Sequence, residues 1–106
     1  MTLLVMPKLA DPNIAYVNFA GCGNETSGFT GHLQFAEKGA KKARGRLLSA
    51  YDRSDRIAGA CQPTLGNMTN AHVQERVLEF GGGHELFYRP DAQWIDILVA
   101  WADRKE

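Results

Sequence analysis

Two residues with complementary chemistry, Asp55 and His84, each lie a few residues after an apolar run that is typical of a β-strand. The histidine comes 29 residues after the aspartate (84 minus 55) and directly follows three glycines. A carboxylate beside an imidazole fixes the tautomer of the ring and supports its positive charge, so the imidazole can take a proton from a nucleophile. The pair would supply an acid and a base for nucleophilic hydrolysis if the fold brought the two side chains together.

Three short apolar runs predict the strands that would position this pair. The runs are rich in β-branched, aromatic or aliphatic residues, and turn-forming residues follow each of them. The predicted strands cover residues 14–20, 46–51 and 73–80.

Helical patterns separate and follow these strands. Apolar residues at three- and four-residue spacing predict an amphipathic helix over residues 33–43 and a final helix over residues 92–102. The final helix is expected either to have Asp91 as its N-cap or to begin near Pro90. Residues 58–71 contain several helix breakers and predict irregular or short helical structure.

The alternation of strands and helices predicts an α/β fold with about three parallel strands and two to three helices. The loops leaving the carboxyl ends of such strands share one edge, so we expect the acid and the histidine there.

Length and charge exclude several classes of protein. A chain of 106 residues with 44% hydrophobic content predicts one small domain. Twelve Lys and Arg residues balance twelve Asp and Glu residues, so no net cationic field favours nucleic acid or anionic lipid. No apolar run approaches the roughly 20 residues of a membrane span. We therefore expect neither a nucleic-acid partner nor a membrane association.

The N-terminal segment and the cysteines indicate the compartment. Residues 1–13 contain two prolines and no periodicity, which predicts a leader or connecting segment before a domain at residues 14–106. The apolar start is too short for a signal peptide. Cys22 and Cys61 are too few for the disulfide framework of a small secreted domain, and we expect both to be reduced. These features predict a cytoplasmic protein.

Three segments carry a family resemblance: Val-Asn-Phe-Ala-Gly at residues 17–21, Tyr-Asp-Arg-Ser-Asp at 51–55, and Gly-His-Glu-Leu-Phe at 83–87. Together with the tryptophan-containing last helix, they resemble the last three strands and closing helix of an α/β-hydrolase domain, in particular its dienelactone-hydrolase-like branch. The resemblance implies a partial hydrolase sheet that acts on ester bonds. It also implies that Asp55 is the acid and His84 the base of a catalytic triad.

The family's nucleophile has no clear counterpart in these 106 residues. It lies on a sharp strand-to-helix turn, usually G-x-S-x-G, which precedes the acid in the chain. Ser27, Ser49 and Ser54 all lack the flanking glycines. Cys22 follows a strand at the same predicted sheet edge and could act as a thiolate, although a small buried cysteine is the simpler interpretation. The sequence therefore resembles a truncated hydrolase, and we expect little ester hydrolysis by this chain alone.

The same residues allow other roles. Without the resemblance, Asp55 could be a turn residue paired with Arg53 or Arg56, and His84 could be a turn residue that hydrogen-bonds locally. The histidines and cysteines lack the paired spacing of a zinc motif. The glycines at residues 81–83 lack the residues that complete a phosphate-binding loop. We expect no metal and no cofactor.

Two functions remain as hypotheses. The first is a domain related to esterases and dienelactone hydrolases, with a small ester substrate. The alternative is a non-catalytic remnant or small interaction domain that pairs through an exposed sheet edge. The strand predicted at residues 14–20 carries no charged side chain that would discourage pairing. This edge predicts a homodimer or a complementary chain as partner.

Overall fold

Three parallel strands form the centre of the structure, a computed structural model that describes residues 2–22, 39–61 and 64–103. The strands are β1 (Ala15–Phe19), β2 (Gly45–Asp52) and β3 (Ala71–Leu78). They lie in the order β1-β2-β3, and both neighbouring pairs are parallel. The predicted α/β class is confirmed, and each strand begins and ends within two residues of its predicted bounds.

The central strand is buried on both faces. Leu47 and Leu48 are consecutive residues of β2 whose side chains point to opposite faces, and both are fully buried. This burial is typical of a parallel sheet, in which other elements cover the two faces. The apolar run at residues 46–51 is continuous for the same reason.

The first face is covered in part by a helix near the N-terminus. Helix α1 spans Thr2–Leu9, and Met6 on this helix is fully buried in a cluster that includes Leu47. The segment at residues 1–13, interpreted from sequence as a leader or connecting segment, therefore contains a helix. The helix is short and contains Pro7, so packing of Met6 against the sheet stabilises it where sequence periodicity could not reveal it.

The opposite face is covered by helix α2, which spans Ala92–Ala102. The predicted N-cap is confirmed, because the Asp91 side chain accepts a hydrogen bond from the backbone N–H of Gln93 at 2.8 Å. At the other end, Arg46 on β2 donates to the backbone oxygen of Trp101 at 2.6 Å, and its guanidinium lies 4.4 Å from the indole centroid. Both ends of the helix are therefore fixed, one by its cap and one by the sheet.

The remaining predicted helical regions are short or lie outside the described residues. Most of the amphipathic helix predicted over residues 33–43 is outside them, and Ala40–Lys42 form one 3-10 turn. Within residues 58–71, the 3-10 helix Leu65–Asn67 confirms the expected short helical structure. In the described ranges, no helix combines the length and apolar character needed to cross a membrane.

Gly45 generates a prediction about the sheet. Its φ is +98°, and a Cβ added there would collide with the backbone oxygen of Ile14 and lie 3.0 Å from that of Asp11. We expect Gly45→Ala to lower the free energy of unfolding by roughly 2–4 kcal/mol, measured by urea denaturation.

Gly81→Ala is the matched control for this substitution. Gly81 also has a positive φ, +77°, but an added Cβ would meet nothing within 4 Å. This variant should lose only about 1 kcal/mol, the backbone term alone. Equal losses in the two variants would show that the close approach at Gly45 does not constrain the sheet.

Candidate functional site

The acid and the histidine lie close together beyond the carboxyl ends of β2 and β3. His84 Nδ1 is 2.9 Å from Asp55 Oδ2, although the two residues are 29 positions apart in the chain. The predicted proximity is confirmed. The parallel sheet produces it, because it directs the loops that follow the two strands to the same edge.

The Asp55 carboxylate is held from both sides. Its side chain is fully buried, and Oδ1 accepts hydrogen bonds from the backbone N–H groups of Ile57 (2.7 Å) and Ala58 (2.8 Å). Arg53 does not pair with it, because the Arg53 guanidinium lies 3.1 Å from the carboxylate of Glu79. Asp55 therefore stabilises the turn that follows it and contacts His84 at the same time.

These contacts determine the ionisation of Asp55. Burial alone would raise the pKa of the carboxyl group, but the hydrogen bonds from Ala58 and Ile57, with the hydrogen bond and charge of His84, outweigh it. The pKa of Asp55 consequently lies below its ordinary value of 3.8. At neutral pH the side chain is a carboxylate, which can only accept hydrogen bonds.

The charge of Asp55 decides which nitrogen of His84 carries the proton. Because the carboxylate has no proton to donate, Nδ1 must be the N–H donor, and in the neutral ring Nε2 then carries the lone pair. No described residue hydrogen-bonds to Nε2, and the His84 side chain is 28% exposed. The arrangement is that of a general base oriented by a carboxylate and open to an incoming group.

An aromatic cluster fixes the segment that carries the histidine. His84 belongs to the 3-10 helix Gly83–Tyr88. From this helix, the Phe87 ring stacks on Phe19 of β1 with centroids 4.5 Å apart. Trp94 of α2 packs edge-on against both rings, at 5.6 and 5.5 Å. The cluster anchors the far end of the segment to the sheet.

The cysteines correct one prediction. Cys22 and Cys61 form a disulfide, so the expectation that both are reduced is wrong. They are 39 residues apart, but β1 and β2 are neighbours, and the segments that follow these strands bring the two Cα atoms to 5.5 Å. A count of cysteines could not reveal this proximity. Cys22 consequently offers no thiol proton for His84 to take, and within the described ranges no cysteine is free.

The serines considered as nucleophiles already have partners where they are described. Ser49 is buried, and its Oγ accepts a hydrogen bond from Asn18 Nδ2 at 3.1 Å. Ser54 Oγ donates to Asp52 Oδ1 at 2.6 Å and accepts from the backbone N–H of Gly83 at 2.8 Å. Ser27 lies outside the described residues. The structure therefore brings together the acid and the base without showing a nucleophile beside them.

Asp52 is a site residue that the sequence analysis missed. Its side chain is buried, Oδ1 accepts from the Ser54 hydroxyl and backbone N–H, and Oδ2 accepts from the backbone N–H of Phe80 at 2.9 Å. Burial alone would raise the pKa of Asp52, but these bonds and one from Gly81 N–H hold it below 3.8. The available signal was an acidic residue directly after the strand predicted at residues 46–51, followed two residues later by serine.

Neither a metal site among the described residues nor a matching family adds an assignment to this site. Among the residues that the structure describes, no group of three or more His, Cys, Asp or Glu side chains could hold a metal ion. No protein-family model matches the chain, and comparisons with curated proteins and with solved structures find no match. The α/β-hydrolase resemblance therefore stays a prediction, which rests on the residues quoted for it.

The disulfide gives a prediction about stability. Reduction, or the double substitution of Cys22→Ala and Cys61→Ala, should lower the free energy of unfolding by roughly 4 kcal/mol, the loop-closure term for this separation. The bridge is checked by thiol titration of the air-oxidised chain in denaturant without reductant, where we expect no reactive thiol. Two reactive thiols would contradict the pairing.

Asp55 gives a prediction about pH. Its pKa is lower in the folded chain than the ordinary 3.8, so its stabilisation is fully present above that value and disappears as pH falls through the folded pKa. The unfolding free energies of wild type and Asp55→Asn, measured in urea, should therefore differ most near neutral pH. The difference should shrink as pH falls below about 4. A difference that is the same at pH 7 and pH 3 would contradict the lowered pKa.

Proposed function

We propose that this chain is an α/β-hydrolase-like domain that supplies the acid and the histidine of a catalytic triad for cleavage of a small ester. The observation that carries the proposal is the 2.9 Å contact between Asp55 Oδ2 and His84 Nδ1. It leaves Nε2, the nitrogen that a nucleophile would approach, without a partner among the described residues. The all-parallel sheet and the order of acid before histidine agree with the family resemblance.

In this proposal, Asp55 and His84 have the roles of the acid and the base in a catalytic triad. His84 Nε2 takes the proton of a hydroxyl or thiol nucleophile as that nucleophile attacks the ester carbonyl carbon. The bond to the leaving alkoxide then breaks, and Nε2–H returns the proton to the alkoxide oxygen. Asp55 supports the imidazolium between these two steps without taking its proton. In the second half of the reaction, His84 takes a proton from water as the water oxygen attacks the acyl carbonyl carbon. The bond between that carbon and the nucleophile then breaks, Nε2–H returns the proton to the nucleophile, and the carboxylic acid leaves.

In this proposal, a partner supplies the nucleophile and the oxyanion donors. Ser49 and Ser54 are engaged in structural hydrogen bonds, and the cysteines are joined in a disulfide. The sequence contains no G-x-S-x-G turn. In this proposal, a complementary chain or segment that carries such a turn completes the site.

A second candidate function is an interaction domain that pairs through its sheet edge. β1, the strand whose edge the sequence predicts for pairing, is a terminal strand of the described sheet. β3 is the other terminal strand, and Val77 on it is 40% exposed. Terminal strands with exposed apolar side chains can recruit another chain by strand pairing. In this alternative, the partner is a second copy or a complementary chain, and the Asp55–His84 contact only stabilises the loops.

Hydrolysis of p-nitrophenyl acetate distinguishes the two functions. The chain alone should hydrolyse the ester near the buffer rate and without a burst, because the serines and cysteines among the described residues are already engaged in hydrogen bonds or in the disulfide. The test supplies in trans the N-terminal part of a dienelactone-hydrolase-like protein that carries the G-x-S-x-G turn, and light scattering checks that a complex forms. We expect this complex to hydrolyse the ester, and His84→Gln to reduce the rate by about 10²–10⁴-fold.

Asp55→Asn and Asp91→Asn serve as matched variants in the same assay. Both replace a carboxylate that accepts backbone N–H groups, but only Asp55 contacts His84. Asp55→Asn should lose most of the activity and Asp91→Asn should keep it. A complex that forms but does not hydrolyse the ester would contradict the hydrolase proposal and support the interaction domain.

A further inference from the structure

The glycine-rich turn before His84 needs external anchors. Gly81 and Gly83 both have positive φ, +77° and +63°, so this segment has more conformational freedom than other residue types would allow. A histidine that follows such a turn is not positioned by its own backbone. The contacts that hold the turn therefore decide where the imidazole lies relative to Asp55.

Asp52 and Ser54 provide these anchors at the two ends of the turn. Asp52 Oδ2 accepts the backbone N–H of Phe80 at 2.9 Å, where the turn begins. Ser54 Oγ accepts the backbone N–H of Gly83 at 2.8 Å, directly before His84. The segment from Phe80 to Gly83 is thus held at both ends by one short stretch of the preceding loop.

The carboxylate of Asp52 determines which groups donate and which accept in these hydrogen bonds. A hydroxyl has one proton, and Ser54 must give it to Asp52 Oδ1, at 2.6 Å, because the carboxylate can only accept. The lone pairs of Ser54 Oγ then remain for the N–H of Gly83. An asparagine at position 52 has only one acceptor oxygen, so it could accept from Ser54 or from the Phe80 N–H but not from both sides.

Two adjacent contacts set the register of the two loops. Ser54 binds Gly83 and Asp55 binds His84, and both pairs are separated by 29 residues. A shift of one loop along the other would break both contacts together. The first contact thus holds the backbone in the position that the second requires.

We propose that Asp52, acting through Ser54, is a positioning residue that holds His84 against Asp55. The catalytic meaning of this role rests on the proposed function, but the positioning itself is a property of the chain alone. Asp52 touches neither the imidazole nor any reacting atom in this arrangement. It acts through the backbone of the glycine-rich turn.

NMR measures the contact between His84 and Asp55 directly. Ser54→Ala and Asp52→Asn should each make the His84 Nδ1 proton exchange with solvent at least about tenfold faster than in wild type. The carboxyl pKa of Asp55, followed by ¹³C NMR, should move up toward 3.8 as the contribution of His84 is lost. Ser54→Thr, which keeps the hydroxyl, should stay within twofold of wild type in proton exchange.

Asp11→Asn is the matched control. Asp11 accepts the backbone N–H two residues later, Asn13, at 2.8 Å, as Asp52 does with Ser54, but it lies at the opposite end of the strands. This variant should leave the Nδ1 proton of His84 within twofold of wild type. Comparable acceleration in Asp11→Asn would show that general loosening, rather than positioning, explains the effect.

The result that overturns the inference is an unchanged His84 Nδ1 proton in both Ser54→Ala and Asp52→Asn. If Asp52→Asn does not fold, Ser54→Ala decides, because Ser54 is exposed and its substitution removes only the bridging hydroxyl. None of these readouts needs ester hydrolysis. A complex that fails to hydrolyse ester refutes the proposed function alone, whereas unchanged His84 in an active complex refutes the positioning role alone.

Discussion

Two buried carboxylates at the end of β2 determine the conformation of the whole candidate site. A carboxylate removed from water is stable only when hydrogen-bond donors surround it. Asp52 obtains its donors from Ser54 and from the loop after β3, and Asp55 obtains them from its own loop and from His84. The hydrogen bonds to these two carboxylates therefore determine the conformation of the loop after β2 and join it to the loop after β3. The same hydrogen bonds determine the position of the His84 imidazole.

The other face of the sheet holds the same loop by different means. Asn18 and Ser49 are paired across β1 and β2, and Asn18 Nδ2 also lies 3.3 Å from Cys61 Sγ. The disulfide joins Cys61 to Cys22, and the backbone N–H of Gly59 donates to the Cys22 oxygen at 2.9 Å. The segment that follows Asp55 is thus tied to β1 by covalent and hydrogen bonds. A rigid carboxylate is what a precisely oriented base requires.

The sequence was informative where local pattern and parallel topology agree. The three strands, the Asp91 cap and the meeting of Asp55 with His84 could all be predicted, because hydrophobic runs define strands and parallel strands gather their following loops at one edge. Helix α1 could not be predicted, because its stability comes from burial of Met6 rather than from a periodic pattern. The disulfide and the role of Asp52 depend on which residues of distant segments meet, which one sequence does not specify.

The Asp55 carboxylate holds the His84 ring so that Nδ1 carries the proton and Nε2 has no partner among the described residues. The ¹⁵N chemical shifts of the neutral His84 ring report its tautomer, and they test this claim most directly in wild type beside Asp55→Asn. We predict a proton on Nδ1 and a bare Nε2 in wild type, with a larger population of the other tautomer in Asp55→Asn. A wild-type ring with its proton mainly on Nε2, or the same tautomer in both chains, would contradict the claim.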